Sequence, residues 1–492
     1  MSQPDAPALC FHAHRQDCAE AWITYAQADA RVRQIAAALR YHGIARGDRV
    51  AVRLDKSAQG LLLFMGVLRA GAIYVPVNPS FTAREANVLL QESTPALLID
   101  NDAQALNLED AIRLRTLSYD DGASTDLLNA PAMDIDSVDE PESADYAAML
   151  FTSGTTGRPK GAPLTHANLM ANLDSLATVW QIGPSDRVLH VLPVFHAHGL
   201  FVAAAMPLLR GASVIVTETF DAAQTVQLLP EATVFMAVPA IYTRLLAQPE
   251  FGPQACRNLR LATSGSAPLS PEMFTALEQR MGLKVVERYG LTETSILTSN
   301  PIDGTATVGS VGKPLSIVEL RITDAQGNAV ANGEVGSLQV RSPATISHYW
   351  NRPELKDEWT ADGFFDTGDM GRIDKDGFVW LVGRKKELII SGGYNVYPRE
   401  VENVLETVPG VDEAVVLGVP HPDFGEGVLA AIRRTAGEPV TEDTIKQHVI
   451  RDLTSYKRPK AIVFVDDFPR NAMGKVMKKT LQQTYRDIFS AS

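Results

Sequence analysis

The chain is poor in cysteine and has no long hydrophobic run, and each shortage excludes a class of protein. Three cysteines occur among 492 residues, an odd number that argues against a disulfide framework and favours a reducing compartment. The most apolar stretches end at Arg69 and Arg210, well short of the roughly 20 residues that a membrane-spanning helix needs. The amino terminus has no basic segment followed by an apolar core, so it does not read as a signal peptide. We therefore expect a cytoplasmic protein with no membrane partner.

Basic residues are scarce relative to acidic ones. The chain has 45 lysines and arginines against 58 aspartates and glutamates, a formal net charge of −13. A nucleic-acid-binding protein would present a basic face, so no nucleic-acid partner is expected. An acidic enzyme still binds anionic nucleotides when its cations are concentrated in one cleft.

Hydrophobic periodicity predicts an α/β chain followed by a smaller α+β unit. From residue 26 to 100, amphipathic helices alternate with apolar strands, the pattern of a parallel sheet covered by helices. A second alternation follows, and the period then turns toward two in a β-rich region that ends near Val382. The chain is too long for one core. We place the boundary near Lys386, in a basic, glycine-flanked segment suited to a hinge, which gives domains 1–385 and 386–492.

The segment from residue 149 to 170 carries the strongest chemical signal. An apolar strand runs into a loop of glycines and hydroxyl residues with one lysine, and a helical pattern follows. Backbone N–H groups, hydroxyls and a cation together suit a polyphosphate, and glycines let the backbone close around it. The spacing differs from the Walker and dinucleotide motifs, and a flexible linker is the alternative. The predicted phosphate-binding residues are Thr152, Ser153, Gly154, Thr155, Thr156, Gly157 and Lys160.

Later segments add polar groups that a nucleotide site needs. Thr292 and Glu293 follow a predicted strand and offer a phosphate contact and an Mg²⁺ ligand, with a helix cap as the alternative. Asp369 lies in a glycine-flanked turn, where a carboxylate accepts hydrogen bonds from two ribose hydroxyls; an Asx turn is the alternative. Arg384 can neutralise a phosphate or bond a ribose, and Lys475, on a glycine turn, can reach into the cleft of another domain; ordinary surface cations are the alternative.

Taken in order, these segments resemble the adenylate-forming enzymes, which include acyl-CoA synthetases, peptide-synthetase adenylation domains and luciferases. The resemblance extends from Tyr25 to Leu481. It implies a large N-terminal domain of two α/β subdomains and a small β-barrel, followed by a mobile α+β C-terminal domain. It also implies an AMP-forming acid–thiol ligase that uses ATP, Mg²⁺ and coenzyme A.

The resemblance assigns roles to individual residues. Lys475 would bridge the carboxylate and the α-phosphate, while Glu293 and Thr156 would hold Mg²⁺. His196 would line the acyl and thiol passage, a packed core histidine being the alternative. Rotation about Lys386 would present the second domain to coenzyme A. The further ATP-binding residues implied are Ser266, Ala267, Pro268, Tyr289, Gly290, Thr292, Asp369 and Arg384, and the CoA-binding residues are Ser391, Gly392, Gly393 and Tyr394.

Arg288 separates this chain from most of that family, in which a glycine commonly precedes the YG of the motif. An arginine at the floor of an acyl pocket needs an anion, and a second carboxylate on the substrate would supply bidentate hydrogen bonds. Size discrimination in an apolar pocket reaches only ~10–200-fold. An unpaired buried charge costs ~3–5 kcal/mol, so the arginine is the stronger selector. The alternative is an internal pair with Glu287 or another acid, although adjacent strand residues point to opposite faces, which makes Glu287 a poor partner.

Segments around Arg288, such as LPVFHAHGLF and TSGSAPLS, resemble those of malonyl-CoA synthetases. By that resemblance His198 and Ser266 would join Arg288 around the distal carboxylate. Ile296 and Thr298 would shape the space at C2, and the sequence leaves open whether methylmalonate fits.

The sequence thus predicts an ATP-dependent malonate:CoA ligase that forms malonyl-AMP and releases AMP and pyrophosphate. The alternatives are a CoA ligase for another short-chain or aromatic acid, and a nucleotide-binding regulatory protein without chemistry. The expected partners are the small molecules malonate, ATP and coenzyme A. No stable protein partner is expected, and a homodimer stays open.

Overall fold

The chain folds into two compact units. The first comprises Met1–Glu319 and Arg341–Gly363, and the second comprises Leu320–Val340 and Phe364–Ser492. The predicted boundary near Lys386 stays a prediction. The structure, a computed structural model, describes residues 3–12, 22–101, 116–119, 126–129, 140–152, 159–470 and 476–490.

Strands and helices alternate through the first part of the first unit. The side chains of Thr24, Ser57 and Thr82 cap the first three helices, each by accepting a backbone N–H of the first helical turn. In chain order the elements are β1 (Pro7–His12), β2 (Ile23–Thr24), α1 (Tyr25–Tyr41), β3 (Arg49–Arg53), α2 (Ala58–Arg69), β4 (Ile73–Pro76), α3 (Ala83–Ser93), β5 (Leu97–Asp100), β6 (Thr116–Leu117), β7 (Tyr146–Thr152), β8 (Lys160–Thr165) and α4 (His166–Val179).

Six of these strands form a sheet in the order β6-β5-β3-β4-β7-β8. The pairs are parallel except for β7 with β8, which confirms the predicted βαβ pattern. Strand β8 is not predicted from the sequence, in which a helical pattern is expected directly after the phosphate loop. That strand reads KGAPLT, too short and too interrupted by glycine and proline to show a period of its own. Pairing with β7, a tertiary contact, makes it a strand.

Alternation continues through the second part of the first unit. The elements are β9 (Arg187–His190), a π-helix (His198–Ala205), α5 (Met206–Leu209), β10 (Ser213–Thr217), α6 (Ala222–Leu228), a 3₁₀-helix (Leu229–Glu231), β11 (Val234–Ala237), α7 (Pro239–Leu246), β12 (Leu261–Ser264), α8 (Pro271–Met281), β13 (Val285–Leu291), β14 (Ser295–Ser299) and β15 (Lys313–Pro314).

The second sheet has nine strands in the order β15-β14-β13-β12-β11-β9-β10-β1-β2. Its central pairs, from β1 through β10, β9, β11 and β12 to β13, are parallel. At one edge β13 turns back antiparallel into β14. The carboxyl ends of β12 and β13 therefore lie side by side, with Ser264 opposite Glu287. Such a sheet end is where α/β proteins bind ligands.

The remaining elements lie mostly in the second unit. They are β16 (Glu319–Thr323), β17 (Gly336–Arg341), a 3₁₀-helix in the first unit (Pro353–Glu358), β18 (Phe365–Ile373), β19 (Val379–Arg384), a 3₁₀-helix (Lys385–Glu387), β20 (Ile389–Ser391), β21 (Tyr394–Val396), α9 (Pro398–Glu406), β22 (Val411–His421), β23 (Gly425–Arg434), α10 (Glu442–Asp452), β24 (Ala461–Val465) and α11 (Lys478–Thr484).

The second unit contains two sheets. The predicted β-rich region is a four-stranded sheet, β16-β17-β18-β19, and the other sheet joins β20 to β24. One face of the latter packs on α9 and α10 through a core that includes Val401 and Ile445. The other face packs on Phe468, Leu481 and Phe489. The mixed α/β architecture, with a large N-terminal part and a small C-terminal part, confirms the predicted fold class.

The packing of α1 on α2 gives a stability prediction. A Cβ on Gly66 would lie 2.4 Å from Cγ2 of Ile35, so Gly66→Ala should lower the free energy of unfolding by ~1–3 kcal/mol, measured by chemical denaturation. Gly60→Ala in the same helix is the matched control. Its nearest neighbour, Oγ of Ser57, is 3.4 Å away, and alanine suits a helix better by ~1 kcal/mol. Equal stability of the two variants would contradict this packing.

Candidate functional site

The structure describes the predicted phosphate loop at its two ends. Thr152 ends β7, Lys160 begins β8, and the two residues are register partners. The loop therefore connects the strands of a β-hairpin. The predicted residues Ser153, Gly154, Thr155, Thr156 and Gly157 lie outside the described residues.

Glu293 lies in the three-residue turn between β13 and β14, so the alternative of a helix cap is wrong. Its Oε1 accepts hydrogen bonds from Oγ1 of Thr152 at 3.2 Å and from the Tyr349 hydroxyl at 3.0 Å. Thr292 lies beside it in the same turn and is partly exposed. The fold thus brings a predicted phosphate contact, Thr152, to a predicted metal ligand 141 residues away.

Lys160 is held by a second carboxylate. Its Nζ lies 2.5 Å from Oε1 of Glu358 and 4.7 Å from the ring centre of Tyr349. The Tyr349 hydroxyl is also 2.9 Å from Oε2 of Glu358. Burial, followed by the charges of Glu293 and Glu358, raises the pKa of Tyr349, so the phenol keeps its proton. Lys160, Glu358, Tyr349, Glu293 and Thr152 form one continuous chain of polar contacts, which we call the Tyr349 network.

Arg288 is buried on β13 with 5% of its surface exposed. Its Nε and Nη2 have no hydrogen-bond partner, and no ion pair joins it to a carboxylate in the described part of the chain. The guanidinium lies against the backbone of Gly265, where a Cβ would be 2.4 Å from Cζ. Burial lowers the pKa of Arg288 to about 10, so the side chain stays charged at neutral pH. This is a desolvated cation without a counter-charge.

The alternative internal partner, Glu287, lies on the other face of the sheet. It is the register partner of Ser264, whereas Arg288 contacts Gly265, the next residue along. Alternating side-chain direction along a strand explains the separation. Glu287 therefore does not neutralise the Arg288 guanidinium.

His198 lies close enough to Arg288 and to His196 for their charges to interact. His198 is buried at the start of the π-helix, and neither of its ring nitrogens has a hydrogen-bond partner. Burial, then the charge of Arg288, lowers the pKa of His198 far below its usual value. Burial lowers the pKa of His196 to about 4, and its Nε2 also lacks a partner. Both imidazoles are therefore neutral at pH 7, and each can donate one N–H to a ligand.

Thr298, predicted to shape the space at C2, is not opposite Arg288 in the hairpin of β13 and β14. The register pairs it with Tyr289, whereas Ser299 is the residue opposite Arg288. Its hydroxyl donates to the carbonyl of Val311 at 2.6 Å. The side chain of Thr298 is thus committed to the fold, and its role at C2 stays a prediction.

Ile296 and Ser266, the two other residues predicted to contact the acid, differ in their exposure to solvent. Ile296 is buried, and both its backbone groups are bonded by the side chain of Asn172. Ser266 is exposed, directly follows Gly265, and has a left-handed backbone with φ of +67°. A strained residue next to the contact of Gly265 with Arg288 is typical of a functional turn.

The predicted adenine segment combines an open turn with a buried ring. Ala267 and Pro268 are exposed beyond Ser266, whereas Tyr289 is buried at the end of β13. Gly290 permits the tight hairpin that follows, because a Cβ there would lie 2.0 Å from the carbonyl oxygen of Ser295.

The second unit brings together two predicted ribose contacts, Asp369 and Arg384. They are register partners on β18 and β19, and Nε of Arg384 lies 2.7 Å from Oδ1 of Asp369. Asp369 lies inside strand β18, so the predicted glycine-flanked turn is wrong, and its backbone N–H donates to Oγ1 of Thr367. Arg384 is therefore an ion-pair partner of Asp369 and not an isolated surface cation.

The predicted CoA-binding loop is a two-residue hairpin turn. Ser391 and Tyr394 are register partners, and Gly392 and Gly393 both have positive φ, as a type I′ turn requires. Tyr394 is 59% exposed and stacks on Tyr456 with ring centres 4.7 Å apart. Lys386, the predicted hinge, is exposed in the preceding 3₁₀-helix, and Lys475 lies outside the described residues.

Three polar residues of the first unit are not predicted from the sequence. Tyr349 and Glu358 complete the contacts of Glu293 and Lys160, and neither lies in a glycine-rich or otherwise distinctive segment. Lys56 donates to the carbonyls of His190 and Leu192, and burial lowers its pKa to about 7. Its one sequence signal is its position directly after a buried strand.

Comparison with known proteins agrees with this geometry. The model for AMP-binding enzymes matches residues 1–350, and the model for the AMP-binding enzyme C-terminal domain matches residues 400–475. The chain belongs to the AMP-binding, adenylate-forming enzyme family, and it is an AMP-forming acyl-CoA ligase that uses ATP and coenzyme A. The alternative of a regulatory protein without chemistry is set aside.

Individual relatives cover almost the whole chain. ATP-bound MatB from Rhodopseudomonas palustris is 38% identical with a TM-score of 0.93, over 99% of this chain and 97% of that one. The long-chain-fatty-acid–CoA ligase FadD13 of Mycobacterium tuberculosis is 34% identical over 94% of this chain and 93% of its own length. The oxalate–CoA ligase of Arabidopsis thaliana is 35% identical over 90% and 89%. In the described part of the chain, no helix has the length and apolar character to cross a membrane.

The contact between Gly265 and Arg288 gives a prediction about the site. Gly265→Ala places a methyl group within 2.4 Å of the guanidinium carbon and must displace it. Because a displacement of about 1 Å can cost on the order of 100-fold in rate, we expect such a loss in kcat/KM for the preferred acid, measured by AMP release.

Gly252→Ala is the control, since its nearest neighbour, the carbonyl oxygen of Arg280, lies at an ordinary 3.8 Å. A Gly265→Ala enzyme with the kinetics of the control would show that Arg288 does not contact the substrate.

Proposed function

We propose that this protein is a malonate:CoA ligase that forms malonyl-AMP from malonate and ATP and then transfers the malonyl group to coenzyme A. The observation that carries the proposal is the buried guanidinium of Arg288, which lacks a hydrogen-bond partner at Nε and Nη2. A buried cation without hydrogen-bond partners lowers the stability of the fold unless an anion pairs with it. The distal carboxylate of a short dicarboxylic acid is such an anion.

Neutral histidine side chains complete the selectivity. His198 and His196 have depressed pKa values, so they add hydrogen-bond donors without adding charge. One fixed cation with neutral hydrogen-bond donors complements the charge of a single carboxylate, to which Arg288 would donate two parallel hydrogen bonds in bidentate geometry. A monocarboxylic acid of the same length would leave Arg288 desolvated and unpaired, which disfavours its binding.

The position of the cation argues for a short acid. The guanidinium rests on Gly265, and Ser266 follows directly in the segment predicted to frame the adenine. We propose that one carboxylate is activated at the α-phosphate while Arg288 binds the other, and that the two positions lie close enough for a short acid to join them. Malonate fits this requirement, and methylmalonate would need extra space beside Ile296.

The chemistry of the first step joins two anions. A carboxylate oxygen of malonate attacks the α-phosphorus, the bond to the bridging oxygen breaks, and pyrophosphate leaves. We assign Lys475 to the oxygens that carry the developing charge, and Asp369 with Arg384 to the ribose. In the second step the thiolate of coenzyme A attacks the malonyl carbonyl carbon and AMP leaves. We propose that domain 386–492 rotates about Lys386 between the steps, bringing forward the turn from Ser391 to Tyr394.

The residues near Glu293 fit a magnesium ion. The Glu293 carboxylate and the Thr152 hydroxyl are hard oxygen donors, the kind that Mg²⁺ prefers. Among the described residues, no three histidine, cysteine or acidic side chains form a metal cage. Mg²⁺ would therefore be held by Glu293 together with phosphate oxygens, and when bound it would neutralise phosphate charge.

The relatives keep one runner-up open. FadD13 is named for long-chain fatty acids and the Arabidopsis enzyme for oxalate, so the family accommodates very different acids. Oxalate is also a short dianion and would satisfy Arg288, whereas a fatty acid would not. Another short dicarboxylic acid is therefore the alternative that the site favours.

Replacing the cation tests the proposal. Arg288→Met keeps a long side chain but removes the charge, and losing one partner of a buried charge pair costs about 2–5 kcal/mol. We expect kcat/KM for malonate to fall on the order of 100-fold or more, while butyrate and acetate are used as well as before or better. The measurement is CoA-dependent AMP release with malonate, methylmalonate, oxalate, acetate, butyrate and benzoate.

Arg210→Met is the control, because Arg210 makes a surface ion pair with Asp174. If wild-type enzyme prefers oxalate, the class of substrate holds and malonate is wrong. If Arg288→Met uses malonate like the control, Arg288 does not bind the distal carboxylate.

A further inference from the structure

We propose that Tyr349 is a positioning residue that orients Glu293 for the metal–nucleotide complex, and that the ion pair of Lys160 with Glu358 sustains this hydrogen bond. The inference rests on the role of Glu293 proposed above. Tyr349 is 3% exposed, and its hydroxyl lies 3.0 Å from Oε1 of Glu293. The second contact of Glu293, from Thr152, is longer at 3.2 Å.

The Tyr349 hydroxyl faces two carboxylates with one proton. It lies 2.9 Å from Oε2 of Glu358 and 3.0 Å from Oε1 of Glu293, and it can donate to one of them at a time. The other contact would then join a lone pair of the phenol oxygen to a carboxylate oxygen, which is repulsive unless that carboxylate is neutralised. An uncompensated Glu358 would therefore compete with Glu293 for the proton.

Lys160 supplies the compensation. Its Nζ lies 2.5 Å from Oε1 of Glu358, and only 12% of its side chain is exposed. Its ammonium also lies 4.7 Å from the centre of the Tyr349 ring, which favours the cation at this place. With Glu358 neutralised by Lys160, the proton of Tyr349 is available to Glu293.

This arrangement gives Lys160 a function besides its predicted contact with phosphate. Lys160 is the first residue of β8. It acts on Glu293 indirectly, by neutralising Glu358, which contacts the Tyr349 hydroxyl. Hydrogen bonds to a metal-binding carboxylate fix its orientation, and losing one typically costs 10–100-fold in metal affinity. The network therefore predicts an effect on magnesium-dependent binding of the nucleotide, separate from binding of the nucleotide alone.

The test is calorimetric titration of the full chain with α,β-methylene-ATP, once with Mg²⁺ and once with EDTA. The readout is the ratio of the Kd in EDTA to the Kd with Mg²⁺, which a purely structural role would not change. We expect Tyr349→Phe to lower this ratio on the order of tenfold, and Lys160→Met to lower it similarly because Glu358 then competes for the proton.

Second-site rescue distinguishes the charge balance from simple damage. Glu358→Gln, and the double variant Lys160→Met with Glu358→Gln, should keep the ratio within about threefold of wild type, since no competing charge is left. Asp357→Asn, an exposed carboxylate on the same 3₁₀-helix, is the control and should change it less than about twofold. An unchanged ratio in Tyr349→Phe, or a double variant no better than Lys160→Met, would overturn the proposal.

Glu293→Gln separates this inference from the proposed function. If that variant leaves the ratio at its wild-type value, Glu293 is not the magnesium ligand, and both proposals about the metal are wrong. If it abolishes the effect of Mg²⁺ while Tyr349→Phe does not, Glu293 keeps its role and the positioning by Tyr349 alone is wrong. Neither result depends on which carboxylic acid the enzyme prefers.

Discussion

A buried positive charge without an internal partner is the constraint on which the acyl site depends. Arg288 lies on a strand between two others of the large sheet, its Nε and Nη2 are unpaired, and Gly265 lacks a side chain where the guanidinium rests. Burying such a charge lowers the free energy of unfolding, and a bound anion would offset this loss by pairing with the charge. The depressed pKa values of His196 and His198 follow from the same burial.

The polar groups around Glu293 are arranged differently. Lys160 neutralises Glu358, and Glu293 accepts hydrogen bonds from the hydroxyls of Tyr349 and Thr152. A site that serves every member of an ATP-using family needs fixed, satisfied polar groups. Arg288 has no hydrogen-bond partner at Nε and Nη2, and in the function proposed above the distal carboxylate of the substrate supplies one, so selectivity and catalysis would rest on different electrostatics.

Much of this could be predicted from the sequence, because local signals and the fold agree. The βαβ alternation and the β-rich region that follows it come from short-range patterns, whereas Asp369, predicted to lie in a turn, lies in a strand. The opposite orientations of Arg288 and Glu287 follow from strand geometry alone. The rest depends on contacts remote in sequence: β8 exists because it pairs with β7, and Tyr349 meets Glu293 across 56 residues. No local period encodes such contacts.

In the proposed function, the charge of the distal carboxylate distinguishes the preferred acid from a monocarboxylic acid of similar size. The most direct measurement compares malonate with its monomethyl ester in ATP–pyrophosphate exchange by the wild-type enzyme. The ester keeps the carboxylate that is activated and is slightly larger, but it lacks the distal charge. Butyrate, a monocarboxylic acid close in size to malonate, shows whether the added size of the ester alone lowers exchange. If Arg288 binds the distal carboxylate, malonate supports exchange while the ester and butyrate lag by orders of magnitude. Comparable exchange with all three acids would contradict the account.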